Sequence, residues 1–434
     1  MSNLIVRGGR RLQGTLALHG AKNAVLPILS AAFLCEGESV LYHCPRLTDV
    51  ELACAILREL GCRVRATHST IAVDASGASG TVIPAEYMCE MRSSIVFLGA
   101  MLARTGRAEL CAPGGCNLGP RPIDQHLSAL RQMGAQIIDE NGTLHCTAPN
   151  GLRGCTIRFP FVSVGATENV MIAAATARGV TRIDNAAREP EVADLARYLN
   201  RCGARIHGAG TSELCIEGVK RLHGAEHRIV SDRIETATYL AAAAVTGGDV
   251  CLKNTDPTLL RPVLARLQEA GCALRIAQRQ IHLTAPARLT AFSAVRTAPY
   301  PAFPTDAQAI MMAAAAPASG TVQFDETIFS DRFRHVPELN RMGADITVSG
   351  ETALVRGVPK LHGAAVRATD LRGGAAMVIA ALCAEGTTTI SDVYHIDRGY
   401  EKIEAALTQL NADVGRETAW VPEKSKTPCP VAAG

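Results

Sequence analysis

The stretch PGGCNLGPRPID, Pro113 to Asp124, sets a thiol five residues from a guanidinium in a segment whose glycines and prolines predict a loop. A thiol with an ordinary pKa near 8.5 is mostly protonated at neutral pH yet able to ionise, so Cys116 could give up a proton or act as a nucleophile. Cations recur elsewhere at comparable places. Arg121, Arg188 (beside Glu189), Arg332 and Arg398 stand before amphipathic runs, and polar or charged clusters open small-residue runs at Lys22 and Asn23, Arg92, Ser163, Asp232 to Glu235, Asp306 and Arg372. Two cations about 4 Å apart repel by about 4 kcal/mol at an effective dielectric near 20, so such a cluster is stable mainly with an anion between its members. Guanidinium suits carboxylate and phosphate, and helix starts add free N–H groups and about half a positive charge each. A single arginine is more often a solvated surface charge; recurrence at equivalent positions argues for an anionic ligand.

The elements that would hold these groups show in a pattern repeated six times at a period of about seventy residues. A small-residue helix ends at Gly37, Gly106, Gly179, Gly247, Gly320 or Gly386. A strand, a loop and an amphipathic helix follow, closed by a second glycine at 61, 134, 203, 271 or 343; the sixth copy has Asn411, which also tolerates the left-handed conformation needed after a helix. Leu47, Val50, Cys54 and Leu57, then Ile123, Leu127 and Leu130, then Val192, Leu195 and Leu199 have helical spacing. Runs such as CRVRATHSTIAVDAS and ADITVSGETALVRG read as antiparallel pairs. The expectation is an α/β protein of six βαβαββ-like units, three to a domain, in two similar lobes with a cleft between them.

Composition sets limits on function. The 434 residues are 47% apolar and 4% aromatic with 38 glycines, which suggests closely packed helices against sheets. A net charge of +3 argues against a nucleic-acid-binding surface. Fifteen cysteines, an odd number with no CxxC pair and no apolar leader in MSNLIVRGGRR, point to a cytoplasmic chain without zinc, its thiols acting as small buried hydrophobes at Cys54, Cys202 and Cys272. No apolar run is long enough to cross a membrane, and 419–434 reads as a disordered tail.

Longer motifs add a resemblance. GAKNAVLPIL, MRSSI, PGGCNLGPRPID, VSVGAT, NAAREPE, DRIET, RTAPYPAFPTD, RFRHVPEL and HIDRGYE together resemble the enolpyruvyl transferase family, on its UDP-N-acetylglucosamine branch, along nearly the whole chain. The resemblance implies a two-domain inside-out α/β barrel, with domains of 22–229 and of 1–21 plus 230–418. It implies transfer of the enolpyruvyl group of phosphoenolpyruvate to the 3-hydroxyl of UDP-N-acetylglucosamine, releasing phosphate and opening peptidoglycan synthesis, with no metal or organic cofactor and a monomer as the expected state. Cys116 would be the proton donor, the site of a covalent phosphoenolpyruvate adduct and the target of fosfomycin, and Asp306 the base beside the sugar hydroxyl. Lys22, Asn23, Arg121 and Arg398 would surround the donor's phosphate, and Arg332 and Arg372 its carboxylate, with Lys22 and Arg398 also counted as catalytic. The nucleotide sugar would meet Arg92, Arg121, Pro122, Ile123, Asp124, Gln125, Phe161, Val162, Ser163, Val164, Asp306 and Ile328. Some members carry lysine where this chain has Phe161, which would leave that contact to backbone N–H groups.

Other readings fit less of the chain. A non-catalytic nucleotide-sugar-binding paralogue has no use for Cys116 and Asp306 together. The sister 5-enolpyruvylshikimate-3-phosphate synthases carry an NAGT motif that is absent here, and neither nucleotide-binding glycine fingerprint occurs. On spacing alone, Asp306 after FPT could equally cap a helix. The glycines around Cys116 suggest a loop that closes over bound nucleotide sugar.

Overall fold

A computed structural model describes residues 2–114, 118–119 and 121–418. The chain forms two compact units, one built from residues 20–114 and 121–230, the other from 2–19, 118–119 and 231–418, each with its own apolar core.

In the first unit the helices Lys22–Ala32, Phe97–Thr105 and Val164–Ala174 pack on one another. They are rich in Ala, Leu, Ile, Val and Met and are buried over most of their length, so none has a continuous solvent-facing polar side. In the second unit Arg233–Val245, Gln308–Ala315 and Leu371–Cys383 do the same. Sheets surround these helices, and their strands alternate buried and more exposed residues, as in Thr143–Thr147. Helices are therefore inside and sheets outside, in both units.

The repeat is visible in the pairing. Thr156–Arg158 runs parallel to Val180–Asp184, which pairs antiparallel with Glu213–Glu217, which pairs antiparallel with the edge strand Arg205–His207. Four other sheets have this order and polarity. The second copy departs from it: a single parallel bridge, Val82 to Glu109, replaces the first strand, and an extra helix, Ala85–Glu90, follows. Three copies borrow strands from far away in sequence: Glu226–Arg228 lies parallel to the strand Glu38–Tyr42 of the first copy. Gln13–Ala17 lies parallel to Asp249–Lys253, and Ser2–Arg7 sits antiparallel between Thr387–Ser391 and Asp413–Thr418.

Local sequence explains where elements stop. All eleven repeat glycines and Asn411 have positive φ, from +63° at Gly247 to +107° at Gly320, where an L side chain is strained. Gly99 has a different reason: a Cβ there would lie 2.3 Å from Asn169 Oδ1, because two inner helices cross at that point and the Gly99 N–H donates to the same oxygen at 2.7 Å. The thiols Cys54 and Cys272 are buried, and burial pushes them up to about 11 and about 12, which leaves them unreactive.

Candidate active site

The second unit gathers three arginines, Arg233, Arg332 and Arg372, and two further aspartates, Asp232 and Asp370, around the carboxylate of Asp306. Asp306 lies in the short 3-10 turn Thr305–Ala307 that precedes the helix Gln308–Ala315. It makes no side-chain cap there. Its Oδ1 accepts from Arg332 Nη2 and its Oδ2 from Arg372 Nη2, each at 3.2 Å. Both arginines are nearly buried, at 2% and 4% exposure, and the Nε–H group of each is buried without a hydrogen-bond partner. Burial alone would push the Asp306 carboxyl up, but Arg372, Arg332 and Arg233 outweigh it and hold the group well below the ordinary carboxylate range.

Each arginine is itself placed. Asp370 caps the helix Leu371–Cys383, its Oδ1 accepting from the N–H groups of Arg372 and Gly373 at 2.9 and 3.1 Å, and the same oxygen lies 3.8 Å from Arg332 Nη1. Arg332 Nη2 also donates to the Thr305 carbonyl at 3.0 Å, and its guanidinium stands over the Phe329 ring. Arg372 Nη1 donates to the Tyr400 hydroxyl at 3.2 Å, which Thr238 meets at 2.8 Å. Glu326, 2% exposed, ties Thr305 to the turn at Ile328: one carboxylate oxygen accepts from the Thr305 hydroxyl at 2.9 Å, the other from the Ile328 N–H at 2.9 Å. Ile328 itself is exposed. Arg398 ends the short helix Tyr394–Asp397 half-buried, close enough to His395 to help push that imidazole down after burial.

The first unit has a basic site of its own. Lys22 opens the inner helix, nearly buried, with its ammonium 2.7 Å from the buried Asp49 carboxylate; Asn23 beside it is exposed. Ser163 caps Val164–Ala174, its Oγ accepting from the Ala166 N–H at 3.3 Å. The His126 ring packs against that first turn, where a Cβ on Gly165 would come within 3.2 Å of it. Asn169 gives its amide oxygen to Gly99, so its nitrogen donates to His126 Nδ1 at 3.0 Å and the imidazole proton sits on Nε2. Burial, then Arg92 and Arg121, push this imidazole down to about 3, so it stays neutral between two cations. Arg92 Nη1 donates to the Pro113 carbonyl at 3.1 Å.

The remaining expected contacts lie along the same segments. Ile123 is half-buried, Pro122 and Asp124 are exposed, and Gln125 is buried. Val162, Ser163 and Val164 are half-buried and Phe161 is 57% exposed. The buried face of Asp124–Gln132 is Gln125, His126, Ala129 and Leu130, so two polar residues join the expected Ile123, Leu127 and Leu130, of which Ile123 and Leu127 pack half-buried against the same core. Gly114 is needed for close approach, since a Cβ would lie 2.5 Å from the Cys89 carbonyl oxygen. Cys116, its roles and the loop closure built on it lie outside the described residues, as does the tail. Asp49, His126, Asn169, Glu326, Asp370 and Tyr400 were not singled out as site residues. Only Asp370 carried a local signal, an aspartate directly before a helix.

No helix among the described residues is long and apolar enough to cross a membrane, and no group of three or more His, Cys, Asp and Glu among them is placed to hold a metal ion. Comparison with known proteins is consistent over the whole chain. The sequence profile of the EPSP synthase (3-phosphoshikimate 1-carboxyvinyltransferase) family matches residues 6–407. A UDP-N-acetylglucosamine 1-carboxyvinyltransferase of Dichelobacter nodosus is 49% identical over 417 residues, and one of Magnetococcus marinus 48% identical over 417; both alignments cover 96% of this chain and 99% of the relative. The crystal structure of the enolpyruvyl transferase NikO from Streptomyces tendae superposes with a TM-score of 0.87 at 25% identity, covering 96% of this chain and 99% of that one. The chain belongs to the EPSP synthase family, on the branch of the UDP-N-acetylglucosamine 1-carboxyvinyltransferases.

Proposed function

We propose that this protein transfers the enolpyruvyl group of phosphoenolpyruvate to the 3-hydroxyl of UDP-N-acetylglucosamine with release of phosphate, as a monomer in the cytoplasm. The observation that carries this reading is the 48 to 49% identity, across 96% of the chain, to relatives bearing that activity in their names. The residue roles rest on the motifs and on the chemistry of the groups. Cys116 protonates the donor's methylene carbon, which makes the neighbouring carbon electrophilic. The sugar oxygen adds there, Asp306 takes the hydroxyl proton, and phosphate leaves as a proton is lost from the methyl group. Lys22, Asn23, Arg121 and Arg398 attend the phosphate, and Arg332 and Arg372 the carboxylate. Arg92, the run 121–125, the run 161–164, Asp306 and Ile328 bind the nucleotide sugar.

Two observations support these roles. Arg332 and Arg372 each keep a buried Nε–H without a partner, which suits a planar anion. His126 presents a proton on Nε2 beside the capped N-terminus of Val164–Ala174, between Arg92 and Arg121, a setting that favours a diphosphate. The test is phosphate release from phosphoenolpyruvate with and without UDP-N-acetylglucosamine, for wild type and Cys116→Ala. Release is expected only with the sugar and only in wild type, and fosfomycin is expected to add to Cys116 by mass. Sugar-independent release would sink the assignment.

A further inference from the structure

The guanidinium groups around Asp306 are already balanced. Arg233, Arg332 and Arg372 face Asp232, Asp306 and Asp370, while His335 is neutral because burial pushes it down to about 4, and Tyr400 is kept un-ionised by burial. Asp306 has both oxygens on the two arginines whose Nε–H groups lack partners. A carboxylate held by two guanidiniums is a poor proton acceptor, since protonation would forfeit both charge-assisted bonds. An incoming anion that binds Arg332 and Arg372 changes this in two ways. It competes for the Nη–H groups that Asp306 now uses, and it makes the cluster net negative, which favours uptake of one proton by an acid within it.

We propose that the donor's carboxylate is the trigger that turns Asp306 into a base, so the acceptor hydroxyl can be deprotonated only after the donor is seated. This rests on the reaction proposed above. The step balances without any further reactant: guanidinium N–H bonds pass from Asp306 to the donor's carboxylate oxygens, the acceptor's O–H bond breaks, its proton goes to an Asp306 oxygen, and its electron pair forms the new C–O bond. Both arginines stay protonated throughout. The arrangement guards the donor, because Asp306 does not serve as a base before it arrives.

The experiment is carbon NMR of protein labelled at the aspartate side-chain carboxyl, with the Asp306 signal assigned by its loss in Asp306→Asn. The probe is 2-phosphoglycolate, which carries a carboxylate and a phosphate but no enol, with saturation checked by calorimetry. In the free protein the Asp306 signal is expected to stay flat from pH 4 to pH 9. With saturating probe a titration step is expected inside that range. In Arg332→Ala a step is expected without probe, since one of the two partners is gone. A signal that stays flat at saturation, or a probe that does not bind while sugar-dependent phosphate release proceeds, overturns the trigger and leaves the reaction standing. Absence of sugar-dependent release sinks the reaction instead, whatever the NMR signal does.

Discussion

Lys22 illustrates how a buried cation is kept available. Its ammonium sits 2.7 Å from Asp49 with both side chains under 10% exposed, a pair that needs its partner because an uncompensated buried charge costs about 3–5 kcal/mol. Asp49→Asn keeps the shape and an acceptor oxygen but removes the charge. We expect it to destabilise the protein by about 2 kcal/mol and to raise the KM for phosphoenolpyruvate at least tenfold, with the KM for the nucleotide sugar unchanged. Equal changes in both KM values would show that Asp49 holds the fold and not the lysine's aim. Asp49 was hidden in LTDVE, where an acid in the first turn of a helix needs no other explanation. Asp306 was visible as chemistry and open as a cap; the structure settles its local role against the cap. Its partners stand 26 and 66 residues away, a distance that no local rule spans. Asp370 is the converse case, a true cap whose second task, beside Arg332, only the fold shows.

At the scale of elements, the inner helix Val164–Ala174 carries an acid into the core. Glu168 is 5% exposed, and its Oε1 is buried without a hydrogen-bond partner. Burial, then the charges of Glu191 and Glu189, push its carboxyl well above the ordinary value, so it is neutral in the folded state. A folded pKa above the unfolded one means the stabilising contribution is complete below the unfolded value of about 4.5 and is lost as pH rises through the folded value. Glu168→Gln removes that loss. The Tm of the variant relative to wild type is therefore expected to rise as pH increases above about 4.5, measured by thermal unfolding at each pH; a difference that stays constant above that value would mean that burial does not raise the Glu168 carboxyl. Elements were the most legible scale. Repeat glycines and Asn411 marked helix ends because a left-handed residue has few substitutes, and the hairpins 63–67 with 70–74 and 345–349 with 352–356 follow the alternation read from sequence. The second copy was less legible, because Val82 makes one bridge where the other copies have a strand, and the buried Gln125 and His126 break the apolar stripe.

For the whole molecule, the informative pairing is that of the first described strand with the last, Ser2–Arg7 with Asp413–Thr418. Ser2 stands opposite Thr418 in the register, with Leu4 and Val6 fully buried in the same strand. Deleting residues 2–7 should abolish cooperative unfolding of the unit that contains residues 231–418. A circular permutant that joins 418 to 2 by a short linker, and opens at the exposed turn between Gly350 and Glu351, should keep it with a Tm within about 5 °C of wild type, as circular permutation is tolerated at exposed loop tips. Cooperative unfolding after the deletion would show that this pairing can be dispensed with, and a permutant that fails to unfold cooperatively would show that the turn cannot be opened.

The same strand sets a schedule for biosynthesis. Its first partner begins at Thr387, so 380 residues, 8 through 387, must be made before it can pair. At 5–20 residues per second that is on the order of 20–80 s during which an apolar LIV run waits outside the ribosome with an open edge. Arg7, Arg10 and Arg11 follow it at once, and charges flanking an unavoidable apolar strand discourage it from pairing with another nascent chain. The charges of the RGGRR segment are thus placed to shield that open edge long before the strand's partners, at Thr387–Ser391 and Asp413–Thr418, have been made.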